Sequence, residues 1–236
     1  MSEVVLQARR VSRHFGGLRA VDEVDLSCNM GEVHAVIGPN GAGKTTLINL
    51  LSGDLSASSG QIVYRGREIT HLPAHRISRL GIGRSYQRTN IFPELTCWQN
   101  CWLAGQSREQ TSLLFLQPAN ASKRTGGRVE IALKTAGLGA KFDEYANSMS
   151  YGEQRQLEIA MLLAMEPDVL LLDEPLAGMG NDEAAKVVEL IGNLAKDHCI
   201  VLIEHDMDAV FAVADILTVM VDGIILESGP PETIRD

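Results

Sequence analysis

The stretch "EVHAVIGPNGAGKTTLINLLSG", Glu32 to Gly53, decides the fold. A short apolar run ends in a glycine-rich loop, which leads straight into a helical pattern closed by Gly53. Inside it, "GPNGAGKT", Gly38 to Thr45, has the spacing G-x-x-x-x-G-K-[ST] between a strand and a helix, the context in which such a loop cradles phosphate. Chance would produce that match in about one chain of this length in a hundred. Around Asn40, the glycines Gly38, Gly41 and Gly43 let backbone N–H groups wrap an anion with no Cβ in the way. Lys44 supplies positive charge for β and γ phosphates. The hydroxyl of Thr45, with Thr46 beside it, begins the helix and is placed to ligate Mg²⁺.

On the N-terminal side, "VVLQARRV" and "AVDEVDLSC" alternate as strands, and "QIVYRGREI" reads as a hairpin turning at Arg65-Gly66, so an antiparallel sheet is expected there. From about Thr89 to Ala164 the period is helical: "ELTCWQNCWLAG" with Thr96 as N-cap, "GGRVEIALKTAGL" stopping at Gly137, and "YGEQRQLEIAMLLAM". The polar segment from Gln106 to Gly127 reads as a loop with room for a short helix. After Pro167 come "DVLLLDE", "HCIVLIEH" and "ILTVMVDGIILESG", read as strands, the last turning at Asp222-Gly223. The helix "DEAAKVVELIGNLAKD" separates the first two, as a parallel sheet requires. The expected fold is α/β: a P-loop nucleotide-binding core of mostly parallel sheet flanked by helices, an N-terminal antiparallel β part and a helical part. One domain spans 1–236, with lobes 1–88 plus 165–236 and 89–164.

The chemistry gathers at strand ends. "VLLLDE" puts Asp173 at the carboxyl end of a buried strand, where open α/β sheets place ligands, and Asp173 is expected to hold magnesium. A continued strand would turn Glu174 to the opposite pleat, leaving it free to orient or deprotonate water. Gln87, after "GIGRSY", offers an amide to metal or water. His205 ends the strand "IVLIEH", where it either meets a γ-phosphate and steadies Glu174 or serves as a structural hydrogen-bonder. Phe15 has two readings, a platform for a base or a core side chain. A second anion site is suggested by "MSYGEQ", Met149 to Gln154, where Ser150 and Gly152 sit at the unpaired N–H groups of a helix start. Trp98 and Trp102, four apart on one helical face, fit either packing of the helical part or a partner groove.

Composition sets the class. The 236 residues carry a net charge of −9, with 45% apolar and 22% charged residues, ordinary for a globular domain and adverse to a nucleic-acid scaffold. Six arginines and a single acid lie between Arg65 and Arg88, read here as a solvated face. Four cysteines without framework spacing fit a reducing compartment. No apolar run reaches a bilayer's span, and "MSEVVLQARR" lacks the layout of a signal peptide, so a cytoplasmic chain is expected.

In order and spacing, "GPNGAGKTT", Gln87, "MSYGEQ", "VLLLDEP" and His205 resemble the nucleotide-binding subunit of ATP-binding-cassette (ABC) transporters along essentially the whole chain. The forms "DEPLAGM" and "IEHDMD" look like the ATPases of branched-chain amino-acid uptake systems, with urea and short-amide importers close by and a soluble ABC ATPase not coupled to transport as the alternative. The resemblance implies ATP and Mg²⁺ as cofactors, bound by Phe15, the Gly38–Thr46 loop and, for the metal, Thr45, Gln87 and Asp173, with Glu174, His205, Gln87 and Lys44 in catalysis. It implies that Ser150, Gly152 and Glu153 cap the nucleotide of a second ATPase subunit, head to tail. The other implied partners are two transmembrane permease subunits, received on residues 88–105 at the cytoplasmic face of the membrane, and an extracytoplasmic solute-binding protein. Members of the subfamily commonly carry a short tail beyond the position of Asp236. Three positions depart from the usual pattern: Tyr151 stands where the first signature glycine would be, Glu153 for its glutamine, and Gly180 for the aspartate of the loop after Glu174, with Asn181 or Asp182 as substitutes.

Overall fold

In the computed structural model, residues 3–87, 90–107 and 123–234 are described. Strands β1 (Val4–Phe15) and β2 (Leu18–Asn29) form a long antiparallel hairpin. β1 pairs on its other side with β4 (Ser59–Tyr64), which turns through Arg65 and Gly66 into β5 (Arg67–Glu68). Both turn residues are left-handed, with φ of 46° and 75°, matching the twist of the hairpin they join. The resulting sheet has the order β2-β1-β4-β5. Register shifts in the hairpin, such as that between Ala8 and Val11, break the strict alternation of side chains and explain why the strands outrun the sequence pattern.

The second sheet is built around β3 (Val33–Ile37) in the order β10-β9-β3-β8-β7-β6, with β6 (Ile82–Arg84), β7 (Val169–Asp173), β8 (Cys199–Ile203) and β9 (Ile216–Val221) running parallel. Only β10 (Ile224–Gly229) is antiparallel, through the turn at Asp222-Gly223. All five residues of β7 are buried. Val169 and Leu171 join the core under α1 (Lys44–Ser52) and the antiparallel sheet, while Leu170 and Leu172 join the core shared with the helices of the other face. A sheet covered on both faces needs such a continuous apolar run, and each buried aliphatic side chain contributes about 1.5–3 kcal/mol. By the same alternation Asp173 falls on the face of Val169 and Leu171, the side of α1.

Helix α3 (Cys97–Gln106) starts from a full capping box, with Thr96 accepting from the Gln99 N–H and Gln99 returning the bond. It packs with α4 (Lys123–Thr135) and α5 (Tyr151–Leu163). The Trp98 and Trp102 rings lie 6.2 Å apart and Trp98 meets Phe142 at 5.6 Å, so this stripe packs the helical part. Gly126 sits inside α4, which begins at Lys123, not at the glycine pair, and a Cβ there would lie in ordinary contact, 3.6 Å from the Trp102 ring. Most of the loop expected between Gln106 and Gly127, residues 108–122, lies outside the described residues.

Short elements without a counterpart in the sequence reading include α2 (Ala74–Leu80), β6 and α7 (Met207–Val213). None is long enough to show a period. The strand expected to reach His205 stops at Ile203, because the next residue, Glu204, turns its carboxylate back onto neighbouring N–H groups. Helix α6 (Asn181–Leu194) crosses from β7 to β8. No helix among the described residues is long and apolar enough to cross a membrane.

Candidate functional site

The loop from Gly38 to Gly43 joins β3 to α1 in a path that only glycine permits at three points. Gly38, Gly41 and Gly43 have φ of 149°, 83° and 102°; a Cβ on Gly43 would lie 2.2 Å from the Ala20 carbonyl, and one on Gly38 2.0 Å from that of Met220. At Gly41 nothing lies within 4 Å of that position, so there the demand for glycine comes from the backbone angle alone. The side chain of Lys44 lies along the loop, Nζ donating to the carbonyls of Gly38 at 2.7 Å and Pro39 at 3.0 Å. The cavity above has a volume of about 600 Å³ and is lined by Asn40 to Thr46, Phe15, Gln87 and Glu174, among others. Such a site, with N–H groups, a lysine and a helix start converging, is suited to the phosphates of a nucleotide.

Phe15 is 45% exposed, which settles its two readings against the core. The Arg13 guanidinium lies 4.7 Å over its ring, and Phe15 lines the cavity.

Asp173 ends β7 with its Oδ1 buried and without a protein partner. Burial pushes its carboxyl above the ordinary aspartate range, against the pull of the Arg84 guanidinium. A buried oxygen of this kind suits a hard divalent cation, although Asp173, unlike Thr45 and Gln87, is not among the residues lining the cavity. Glu174 departs from the expectation of a continued pleat: the strand has ended, and φ of 49° puts Glu174 in the left-handed region. For a non-glycine residue that costs about 1–3 kcal/mol, and it swings the carboxylate to the cavity wall. The turn is held by Glu204, almost fully buried, which accepts from the N–H of Leu176 at 2.8 Å and of His205 at 3.1 Å. Sequence reasoning passed over Glu204; its signal was an acid directly after a fully apolar strand. His205 itself has a side chain 67% exposed, 3.7 Å from Glu204, and does not line the cavity.

Gln87 is fixed through its backbone. The buried Arg155 of α5 donates to the carbonyls of Tyr86, at 2.8 Å, and of Gln87, and pairs with Glu158 at 2.8 Å. Losing one partner of such a buried pair costs about 3–5 kcal/mol. The amide end of Gln87 is left to reach the cavity.

The other sequence-derived group stands apart from this cavity. Ser150 caps α5, accepting from the Glu153 N–H at 3.3 Å, while Glu153 accepts from the Ser150 N–H and pairs with Lys141 at 2.8 Å. Ser150 Oγ also donates to Glu183 of α6 at 2.8 Å, and the Glu183 side chain lies so close over Gly152 that a Cβ there would come within 2.8 Å of it. The N-terminus of α5 thus already receives carboxylate oxygen. Tyr151 packs its ring under Arg155, and Gly180 starts α6 with no side-chain cap. Among the described residues of 88–105, Asn90 and Ala104 reach the separate cavity of about 230 Å³ between α2 and α5, whose walls include Asp54, Arg84 and Glu158.

A family model described as ABC transporter matches residues 21–177, more than half of the chain, from before the Gly38–Thr46 loop to beyond Glu174. The chain belongs to the ABC transporter family. Over its whole length it is 37% identical to the high-affinity branched-chain amino acid transport ATP-binding protein LivG of Salmonella typhimurium, covering 95% of that protein. It is 38% identical to BraF of Pseudomonas aeruginosa, which carries the same description, again over the whole chain and 95% of the relative. The solved ADP conformation of MJ1267, an ATP-binding cassette of an ABC transporter, superposes with a TM-score of 0.88 at 29% identity, over 98% of this chain and 93% of that one. The two-sheet and helical architecture is therefore that of an ABC cassette, a P-loop fold.

Proposed function

We propose that this ABC cassette is the ATP-hydrolysing subunit of an importer for branched-chain amino acids, one domain whose helical lobe spans 89–164. The observation that supports this most is the end-to-end match with LivG and BraF, carriers of that function by name. Phe15 stacks on the adenine, the Gly38–Thr46 loop and Lys44 hold the phosphates, and Glu174 orients or deprotonates the attacking water. Thr45, Gln87 and Asp173 would hold Mg²⁺, which when bound neutralises charge on the β and γ phosphates. His205 acts from outside the cavity wall and reaches the γ-phosphate only as the site closes.

Closure needs a second ATPase subunit, because Ser150, Gly152 and Glu153 lie apart from the chain's own cavity. Head to tail, they cap the partner's γ-phosphate, which replaces the Glu183 carboxylate at the start of α5. Without nucleotide the dimer is weak, since two chains of net charge −9 repel. The assembly sits at the cytoplasmic face of the membrane against two permease subunits, with an extracytoplasmic solute-binding protein delivering the solute. Purification of the tagged chain from its native membranes in mild detergent should bring down two strongly hydrophobic chains, and vesicles holding the complex should take up labelled leucine on ATP. Recovery of the chain alone from both membrane and soluble fractions contradicts the coupling; uptake of urea or a short amide in place of leucine contradicts the solute.

A further inference from the structure

The arginine-rich run from Arg65 to Arg88 is not a uniformly solvated face, as its composition suggests. Arg84, the last residue of β6, has a side chain only 8% exposed. Its Nη1 donates to Asp54 at 2.6 Å and to Ser52 Oγ at 3.0 Å, and its plane lies 4.7 Å from the Tyr86 ring centre. Nη2 faces Asp173 Oδ2 at 3.7 Å, where the aspartate side chain is 1% exposed. The next residue, Ser85, accepts from the Asp173 N–H at 3.2 Å. β6, paired with β7 so that Arg84 stands beside Leu171, therefore holds Asp173 by its backbone and sets a guanidinium within ion-pair range of one carboxylate oxygen. The other oxygen, Oδ1, is the buried atom left without a protein partner.

We infer that Arg84 is the positioning residue of the magnesium site, holding Oδ2 of Asp173 so that Oδ1 stays presented to the cation. The inference rests on the reading of Asp173 as a magnesium ligand. A bare guanidinium so close would repel a divalent ion, but Asp54 lies nearer to Arg84 than Asp173 does and cancels its charge. What remains is orientation, and a planar fork that bridges two carboxylates supplies it better than an ammonium. Partners that orient a metal ligand from behind typically contribute 10–100-fold to metal affinity.

The test measures binding of a fluorescent ATP analogue to the full chain while Mg²⁺ is titrated from an EDTA baseline. Arg84→Gln should raise the half-saturating Mg²⁺ about tenfold, leave the metal-free affinity for the analogue unchanged, and be partly rescued by Arg84→Lys. Asp54→Asn, at a more open position, should also raise the half-point by unmasking the arginine charge, and should add nothing in the Arg84→Gln background. A half-point that stays or falls in Arg84→Gln overturns the inference, as does an equal loss of metal-free affinity. If Arg84→Gln does not fold, an unmoved half-point in Asp54→Asn overturns it. Asp173→Asn separates the two levels: if it leaves the half-point unmoved, the ligand assignment itself fails; if it moves the half-point and the Arg84 and Asp54 variants do not, only the positioning role fails.

Discussion

Lys44→Ala is expected to remove ATP turnover and most nucleotide binding. Lys44 is the one side-chain cation inside the phosphate loop, its ammonium spanned between the carbonyls of Gly38 and Pro39 and so placed over the concavity where the backbone N–H groups converge. Charge-assisted bonds of this kind contribute about 1.5–3 kcal/mol each. Losing them should weaken ATP binding by about 10–100-fold. Turnover should fall by a further factor of about 10² or more, because charge on the γ-phosphate oxygens grows in the transition state. Isothermal titration and phosphate release measure the two effects separately. Wild-type turnover in the variant would remove the cradle from the account. The fold should survive, since the methylenes of Lys44 are replaced by a helix-favouring residue at the first position of α1.

Glu174→Gln tests the chemistry and leaves the binding in place. Glutamine has the shape of glutamate and can occupy the same left-handed position, so the turn held by Glu204 is kept. The group proposed to orient or deprotonate water is gone, and turnover should drop by about 10²–10⁴-fold. ATP would then stay bound, and with it the contacts across the dimer. Light scattering with excess MgATP should show a stable dimer. A variant that binds ATP and remains monomeric contradicts the assignment of Glu174 and of the closed dimer together.

Much of this was legible before the structure, for a physical reason. The phosphate loop, the capping box at Thr96, the turn at Arg65-Gly66 and the buried run of β7 are local: their signals lie within a few residues of one another, where backbone sterics and strand period act directly. The unread parts depend on partners far along the chain. Glu204 is informative only once Leu176 is known to stand beside it, and Arg84 only once β6 is laid against β7. Glu174 breaks the pleat that its apolar strand would continue, which places strain at the point where a carboxylate must meet the cavity. The contact between Ser150 and Glu183 joins residues 33 apart and falls under the same limit.

The central proposal is that one chain holds half of each site, the cradle at Lys44 acting with the Ser150 end of a second ATPase subunit, the same chain or a paralogue. It is tested most directly by mixing two inactive variants, Lys44→Ala and Ser150→Arg. In a head-to-tail pair of one of each, both lesions fall in the same composite site, and the other site has an intact lysine and an intact serine. Each variant alone should be inactive, and an equimolar mixture should recover up to about a quarter of wild-type ATPase activity if subunits pair at random and one site suffices. Ser150→Arg alone should still bind ATP with near wild-type affinity. A mixture no more active than its components, with both variants folded and dimerising, would contradict the account.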